Sequence, residues 1–418
     1  MRNVCLAGCL LLAALTGGAA VCDVRAYGAK GDGVSYDTAA IQSAVDAAGT
    51  AGGGEVLLPA GTYLSGTVYL KDGIDFHLAA GAVLLGSTRE ADYNRWNFCP
   101  QNRKSEMENT NGGHLLVAVG CRNIVLRGPG RIDGNARFFA ADARGRAYPR
   151  QKDIPWRPGQ MVFFTDCDGV RIHDIELSDS PYWTCFLHGC NRVDARRLNV
   201  HSLRNPYSHN GDGIDIDCCQ HVSVRDSRFD TSDDCIAIRG NARPLPNPQD
   251  CAYVTVSNCT LSSDKCAIRV GVGNGTIRDV DVTDITVTRT RTAISFCPNW
   301  TKDGGSVSMH NLRFSRFRID CASFCRLIAR HAAGVRIGDV EISDVSGTTT
   351  EPAYLFARPE YEAAGFLFRN IDVPNGIETY CVKDVRIEGG TLKLIEQTPA
   401  RQEELKAMAE DPYKYPHT

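Results

Sequence analysis

From Cys121 to Ile387 the chain repeats one short pattern of apolar and polar positions. A polar or small residue comes first, then aliphatic residues at every second position, then a second short strand and a turn. The pattern stands in Cys121-Arg122-Asn123-Ile124-Val125-Leu126, Cys167-Asp168-Gly169-Val170-Arg171-Ile172 and Cys190-Asn191-Arg192-Val193. It returns in Gln220-His221-Val222-Ser223-Val224, Ala252-Tyr253-Val254-Thr255-Val256, Gly334-Val335-Arg336-Ile337 and Lys383-Asp384-Val385-Arg386-Ile387. The steps Val170 to Val193, Val193 to Val222 and Val222 to Val254 are 23, 29 and 32 residues. A unit this short, with period two and no helix-length segment, cannot bury its apolar face alone. Coiling it so that equivalent strands stack about 4.8 Å apart makes one continuous core. The pattern therefore predicts an all-β fold, a single-stranded right-handed parallel β-helix, with irregular steps marking loops inserted on one face. A β-sandwich or propeller is the alternative, but propeller repeats run to about 40 residues with four strands each.

Outside the repeat, Ala39, Ala40, Ile41, Ala44 and Val45 follow helical spacing, with Asp37 placed to cap them and Gly49 and Gly52-Gly53-Gly54 to end them. This helix is expected to cap the open end of the coil. Residues 350–370 carry aromatics without the repeat and read as an inserted loop, and 398–418 as a polar helical tail. Arg2, the apolar stretch Leu6 to Leu15 and the small residues Gly18-Ala19-Ala20 predict a signal peptide over 1–20. The expected organisation is thus a leader at 1–20, a β-helix domain at 21–397 and a tail at 398–418. The leader predicts a secreted or periplasmic protein with no membrane segment after cleavage, and we expect a monomer.

Composition changes this picture little. With 23% charged residues and a net charge of −3, the chain lacks the basic balance of a nucleic-acid binder. Of the 18 cysteines, 16 remain beyond the leader. Several, such as Cys190, Cys259 and Cys381, occupy apolar repeat positions that suit buried thiols. Cys321 and Cys325 are candidates for a disulfide, and no paired CxxC motifs suggest zinc.

The chemistry concentrates in His209-Asn210-Gly211-Asp212-Gly213-Ile214-Asp215-Ile216-Asp217 and in Ser232-Asp233-Asp234-Cys235-Ile236-Ala237-Ile238-Arg239. Asp212 and Asp233 lie 21 residues apart, about one coil. Asp212, Asp233 and Asp234 would therefore share one patch. Carboxylates this close cannot all ionise freely, so at least one retains its proton near neutral pH. Acetal hydrolysis needs that pairing: one protonated carboxyl for the leaving oxygen and an ionised one to activate water. Calcium binding and solvated turns are the other readings of these acids.

These residues resemble glycoside hydrolase family 28, the polygalacturonase family. The resemblance runs from about Val24 to Phe296. It rests on Tyr27-Gly28-Ala29-Lys30-Gly31-Asp32-Gly33, Leu58-Pro59-Ala60-Gly61-Thr62-Tyr63, Ser180-Pro181-Tyr182-Trp183-Thr184, Asn210-Gly211-Asp212-Gly213 and Asp233-Asp234-Cys235-Ile236-Ala237-Ile238. It implies a pectin-lyase-like right-handed β-helix, an inverting hydrolase and no metal or cofactor. It makes Asp233 the general acid, Asp212 and Asp234 the groups that activate water, and Asn210 a site-shaping residue. Asp215 would stiffen the turn.

Two family motifs are altered. Cys266, in Lys265-Cys266-Ala267-Ile268-Arg269, stands where a Gly-His-Gly histidine is usual. Thr292-Ala293-Ile294-Ser295-Phe296 replaces an Arg-Ile-Lys motif that grips the galacturonate carboxylate. Arg239, Arg269 and Arg291 are candidate substitutes for that clamp. His209 and His188 are candidates for the missing imidazole, and Tyr182 and Trp183 for a sugar-stacking surface. The proline-rich stretch Asn241 to Asp250 is expected to wall one end of the cleft and favour exo-action. The expected partner is a pectic polysaccharide or oligosaccharide. The alternatives are the same mechanism on a rhamnogalacturonan or side-chain linkage, a calcium-dependent lyase, and a non-catalytic carbohydrate-binding β-helix.

Overall fold

The structure, a computed structural model, describes residues 21–105, 108–298, 305–329 and 334–410. The expected leader at 1–20 and residues 411–418 of the tail lie outside them. Among the described residues, 29 strands join in parallel register into one coiled sheet with three faces. The apolar column picked out in the sequence is one of these faces. Ile124 pairs with Val170, Val170 with Val193, Val193 with Val222 and Val222 with Val254. Val254 continues to Val280, Leu312, Val340 and Phe366. All of these point inward and are at most 3% exposed. Burying each contributes about 1.5–3 kcal/mol, and each stacks on its equivalents above and below, so the core is a ladder rather than a ball.

The coil turns its corners on a recurring backbone device. The residue before the inward aliphatic takes a left-handed conformation at Asn123, Gly169, Arg192, His221, Tyr253, Asp279, Asn311 and Asp339. Asn, Asp and Gly tolerate this region best and fill five of these eight positions, while Arg192, His221 and Tyr253 take it at some cost. Side chains at these corners bond along the stack, as where Asn311 Nδ2 donates to Asp279 Oδ1.

The helix Thr38–Thr50 covers the first coil with Ile41, Ala44, Val45 and Ala48 buried. Asp37 occupies its N-cap position but does not cap it through the side chain. Its carboxylate instead accepts from the Lys30 and Gly31 backbone N–H groups at 2.6 and 3.0 Å. A tighter loop took the bonds that a capping geometry would have used. The expected loop at 350–370 is also corrected. Strands Ala353–Phe356 and Glu362–Asp372 continue the coil there, because Ala353, Leu355 and Phe366 supply the inward positions. Cys321 and Cys325 form no disulfide; both lie buried on the strand Ser306–Ile328, whose extended backbone separates them. A helix, Pro399–Glu410, closes the other end. Among the described residues no helix is long and apolar enough to cross a membrane.

Candidate active site

The carboxylates gather on the third face, where Asp212 precedes the strand Ile214–Asp217 and Asp233-Asp234 precede Ile236–Gly240. Ile214 pairs with Ile236, and the Gly213 N–H donates to the Asp234 carbonyl at 2.9 Å. The coil step here is therefore 22 residues (214 to 236), not 21. Asp234, rather than Asp233, is the direct neighbour of Asp212, and Asp233 stands one residue off. On the next coil Ile236 pairs with Ile268, and the Cys235 N–H donates to the Cys266 carbonyl. That register sets Cys266 beside Asp234 and Lys265 beside Asp233.

Close packing explains the glycines. A Cβ on Gly213 would stand 2.5 Å from the Cys235 carbonyl oxygen and 2.7 Å from Phe229. One on Gly211 would meet the hydroxyls of Ser232 and Ser202 at 2.5 and 2.6 Å. The Asp233 carbonyl accepts from the hydroxyls of Thr231 and Ser263, which fixes the start of the strand.

The acids differ in surroundings. Asp212 and Asp234 are 3% and 2% exposed, whereas Asp233 keeps partial access to solvent. Burial pushes the Asp233 carboxyl up to about 7; the Asp234 charge adds to this, and Arg269 and Lys265 oppose it. Asp212 is held well above the usual carboxylate range, by burial first and then by Asp215, Asp233 and Asp234. Arg269 compensates Asp234 through Nε at 2.6 Å from Oδ2. Asp212 Oδ1 and Asp234 Oδ1 are buried and accept no hydrogen bond from protein.

One outward row runs across the face through Phe186, Asp215, Ala237, Arg269, Ser295, Arg326 and Tyr354. Asp215 belongs to this row and does not stiffen a turn. Arg239 Nη1 lies 3.2 Å from Asp215, Nε lies 3.5 Å from Asp217 and the guanidinium covers Trp183 at 4.3 Å. Shared between two carboxylates, Arg239 only partly offsets burial, which pushes Asp215 up to about 8. Arg239 and Arg269 are thus held by protein carboxylates rather than standing open as a clamp.

The remaining candidates scatter. Tyr182 is 2% exposed and donates to Glu108, so it is a buried wall and not an open stacking surface. Trp183 is partly buried on Phe163 and Phe186 and stacks on Tyr182 at 4.8 Å. His209 bonds to the Tyr148 carbonyl, and His188 lies along the strand from Phe186, beside Asp217. Neither puts an imidazole among the three acids. Arg291 lines a separate cavity of about 500 Å³ with Arg204, Arg289, Asp264 and Asp320, which meets the acid cluster only at Ser263. Cys266 is a buried thiol pushed up to about 12, by burial first and then by Asp234.

The sequence reading missed Arg157 and Glu108. Arg157 is 1% exposed and donates to the carbonyls of Pro181, His209 and Glu108 and to Asn210 Oδ1. It thereby holds Asn210, whose backbone is left-handed (φ 59°), against the wall of the site. Both lie in loops without the repeat, so no periodicity marked them.

Buried acids gathered from consecutive coils of a parallel β-helix suit acetal hydrolysis, which pairs a protonated carboxyl with an ionised one. A model of the glycosyl hydrolases family 28 matches residues 56–391. The chain belongs to that family. It is 29% identical to an exo-poly-alpha-D-galacturonosidase of Dickeya chrysanthemi, over 52% of this chain and 41% of that protein. It is 25% identical to a probable polygalacturonase of Vitis vinifera, over 64% of this chain and 55% of that protein. The chain thus spans about half the length of these curated relatives. The fold also matches the crystal structure of a hyperthermoactive exopolygalacturonase from Thermotoga maritima, with TM-score 0.71 and 18% identity over 90% of both chains.

Proposed function

We propose that this chain hydrolyses glycosidic bonds in an acidic pectic glycan by acid–base catalysis at Asp212, Asp233 and Asp234. One observation carries the reading: Asp233, half-buried and pushed up to about 7, stands beside two deeply buried acids on the same face. Asp233 keeps its proton near neutral pH and gives it to the glycosidic oxygen as the C–O bond breaks. Asp234, paired with Arg269, takes a proton from the water that attacks the anomeric carbon, and Asp212 beside it helps activate that water by holding it in place. The product then has inverted configuration. Arg269 holds Asp234 and Asn210 shapes the approach, and Arg157 positions Asn210 without touching substrate. Trp183 and Arg239 line the floor, His209 braces the loop, and Arg291 contributes from the adjoining cavity to a remote carboxylate contact. Exo-action is supported by the loop Asn241–Asp250, whose buried Leu245 packs on Gly189 and closes one side. Export as a monomer, through a leader at 1–20, completes the reading.

Cys266 and Ser295 favour a second reading, in which the mechanism is kept and the linkage is rhamnogalacturonan or a side chain. Reducing-sugar release from polygalacturonate, rhamnogalacturonan and their oligomers separates the two. Loss of turnover in Asp233→Asn supports the acid assignment, and wild-type turnover in that variant refutes it. Stepwise end products support exo-action, and random internal cuts refute it. Ultraviolet-absorbing unsaturated products would mean a lyase instead.

A further inference from the structure

Beyond the acid cluster, the same face holds a second group of buried polar side chains with no part in hydrolysis. His188 and Asp217 are direct neighbours on stacked strands, and Cys218 follows Asp217 with a left-handed backbone (φ 50°). The three residues are at most 1% exposed, and one donor atom from each lies within 4.8 Å of the others. Two of the donors accept no hydrogen bond. His188 Nε2 lies 3.0 Å from the Asn241 carbonyl oxygen, which can only accept, so the ring proton is on Nε2. Nδ1 then carries a lone pair, and it is buried without a hydrogen-bond partner. Asp217 Oδ1 accepts from the Asn241 N–H at 2.6 Å, while Oδ2 accepts no hydrogen bond and has Arg239 Nε 3.5 Å away. A buried lone pair without a donor is unfavourable, and one cation would meet the His188 nitrogen and the Asp217 oxygen together.

We propose that His188, Asp217 and Cys218 bind one divalent transition metal of the zinc type. Imidazole nitrogen, carboxylate oxygen and thiolate sulfur are the donors such an ion takes, with water in a fourth position. The Asp217 carboxylate and Cys218 thiolate balance the dication, the thiol proton leaves to solvent, and Arg239 stays with Asp215. Backbone bonds orient the ligands, as outer-shell partners of metal sites do. Asn241 holds both His188 and Asp217, and Gln249 Nε2 donates to the Cys218 carbonyl at 2.7 Å. The ion therefore staples both ends of the loop Asn241–Asp250 to the coil. This role is structural and stands whether or not the proposed hydrolysis does.

The test is cobalt titration of the full chain after chelator treatment. One Co²⁺ per chain should bind with a thiolate-to-cobalt charge-transfer band in the near ultraviolet, displaced by one equivalent of Zn²⁺. The band should vanish in Cys218→Ser and in His188→Ala. No band, or a band unchanged in Cys218→Ser, overturns the site. Should those variants fail to fold, zinc-edge X-ray absorption of the wild-type protein decides. One sulfur with nitrogen and oxygen neighbours supports the proposal; several sulfurs, or none, overturn it.

Discussion

Replacing Asp233 with asparagine should abolish the proposed activity and, above acidic pH, make the protein more stable. The Asp233 carboxyl moves from 3.8 to about 7 on folding, with burial the main cause. A raised acid binds its proton more tightly in the folded state. Relative to an uncharged side chain it therefore costs nothing below about pH 4, where both states are protonated; stability is lost as pH rises from there, and the loss is complete above about 7. The gap between 3.8 and about 7 corresponds to about 4 kcal/mol of destabilisation at pH 8. Asparagine keeps the shape of the side chain and removes its titration, together with the charge that helps raise Asp212 and Asp215. An unfolding entropy of about 2.1 cal/mol/K per residue over the 418 residues converts this to roughly 5 °C in melting midpoint. Thermal melts of both proteins at pH 4, 6 and 8 measure it beside turnover on the best substrate. The midpoints should coincide at pH 4 and separate progressively above it. A variant that tracks the wild type at every pH would refute the claim that burial of Asp233 is what holds its proton.

Other consequences are simpler to test. Lys265→Met removes a positive charge that lowers Asp233, so the alkaline limb of the pH–rate profile should move to higher pH, by roughly half a unit to one unit for charges on adjacent strands. Arg157→Met leaves three backbone carbonyls without their buried donor; urea unfolding should show a loss of about 3–5 kcal/mol, and KM should rise as Asn210 loses its support. Peptide mapping without reduction should find Cys321 and Cys325 as thiols, alkylated only after unfolding.

The fold was legible because one physical constraint repeats. Inward aliphatics and the polar residue at each bend recur in every coil, so Val170, Val193, Val222 and Val254 could be aligned from the chain alone. The loop expected at 350–370 misled because Phe366 and Phe368 stand in place of Val and Ile there while keeping the same alternation. At the site, the grouping of acids was legible but their partners were not. Spacing alone set Asp212 against Asp233, and one residue of register made Asp234 its neighbour. Arg157 and Glu108 arrive from irregular loops, where nothing in the chain records which side chain turns inward. Arg269 was recognised as a cation near the site, but only packing revealed that it neutralises Asp234.

The C-terminal helix has a consequence for self-association. A stack of identical coils has no natural length, since each end offers a row of backbone donors and acceptors to any matching edge. The helix Pro399–Glu410 packs on Ile377–Tyr380, the last strand of its face, with Leu405 fully buried and Arg401 bonded to Glu378 at 2.7 Å. Gln397 donates to the Thr379 carbonyl as the chain enters the helix. The helix Thr38–Thr50 still covers the opposite end, so removing Pro399–Glu410 exposes a single edge, which another copy can meet only through its own equivalent edge. The tail thus keeps two solenoids from joining end to end: a chain stopped before Pro399 should pair into dimers as its concentration rises, while its individual coils keep their fold.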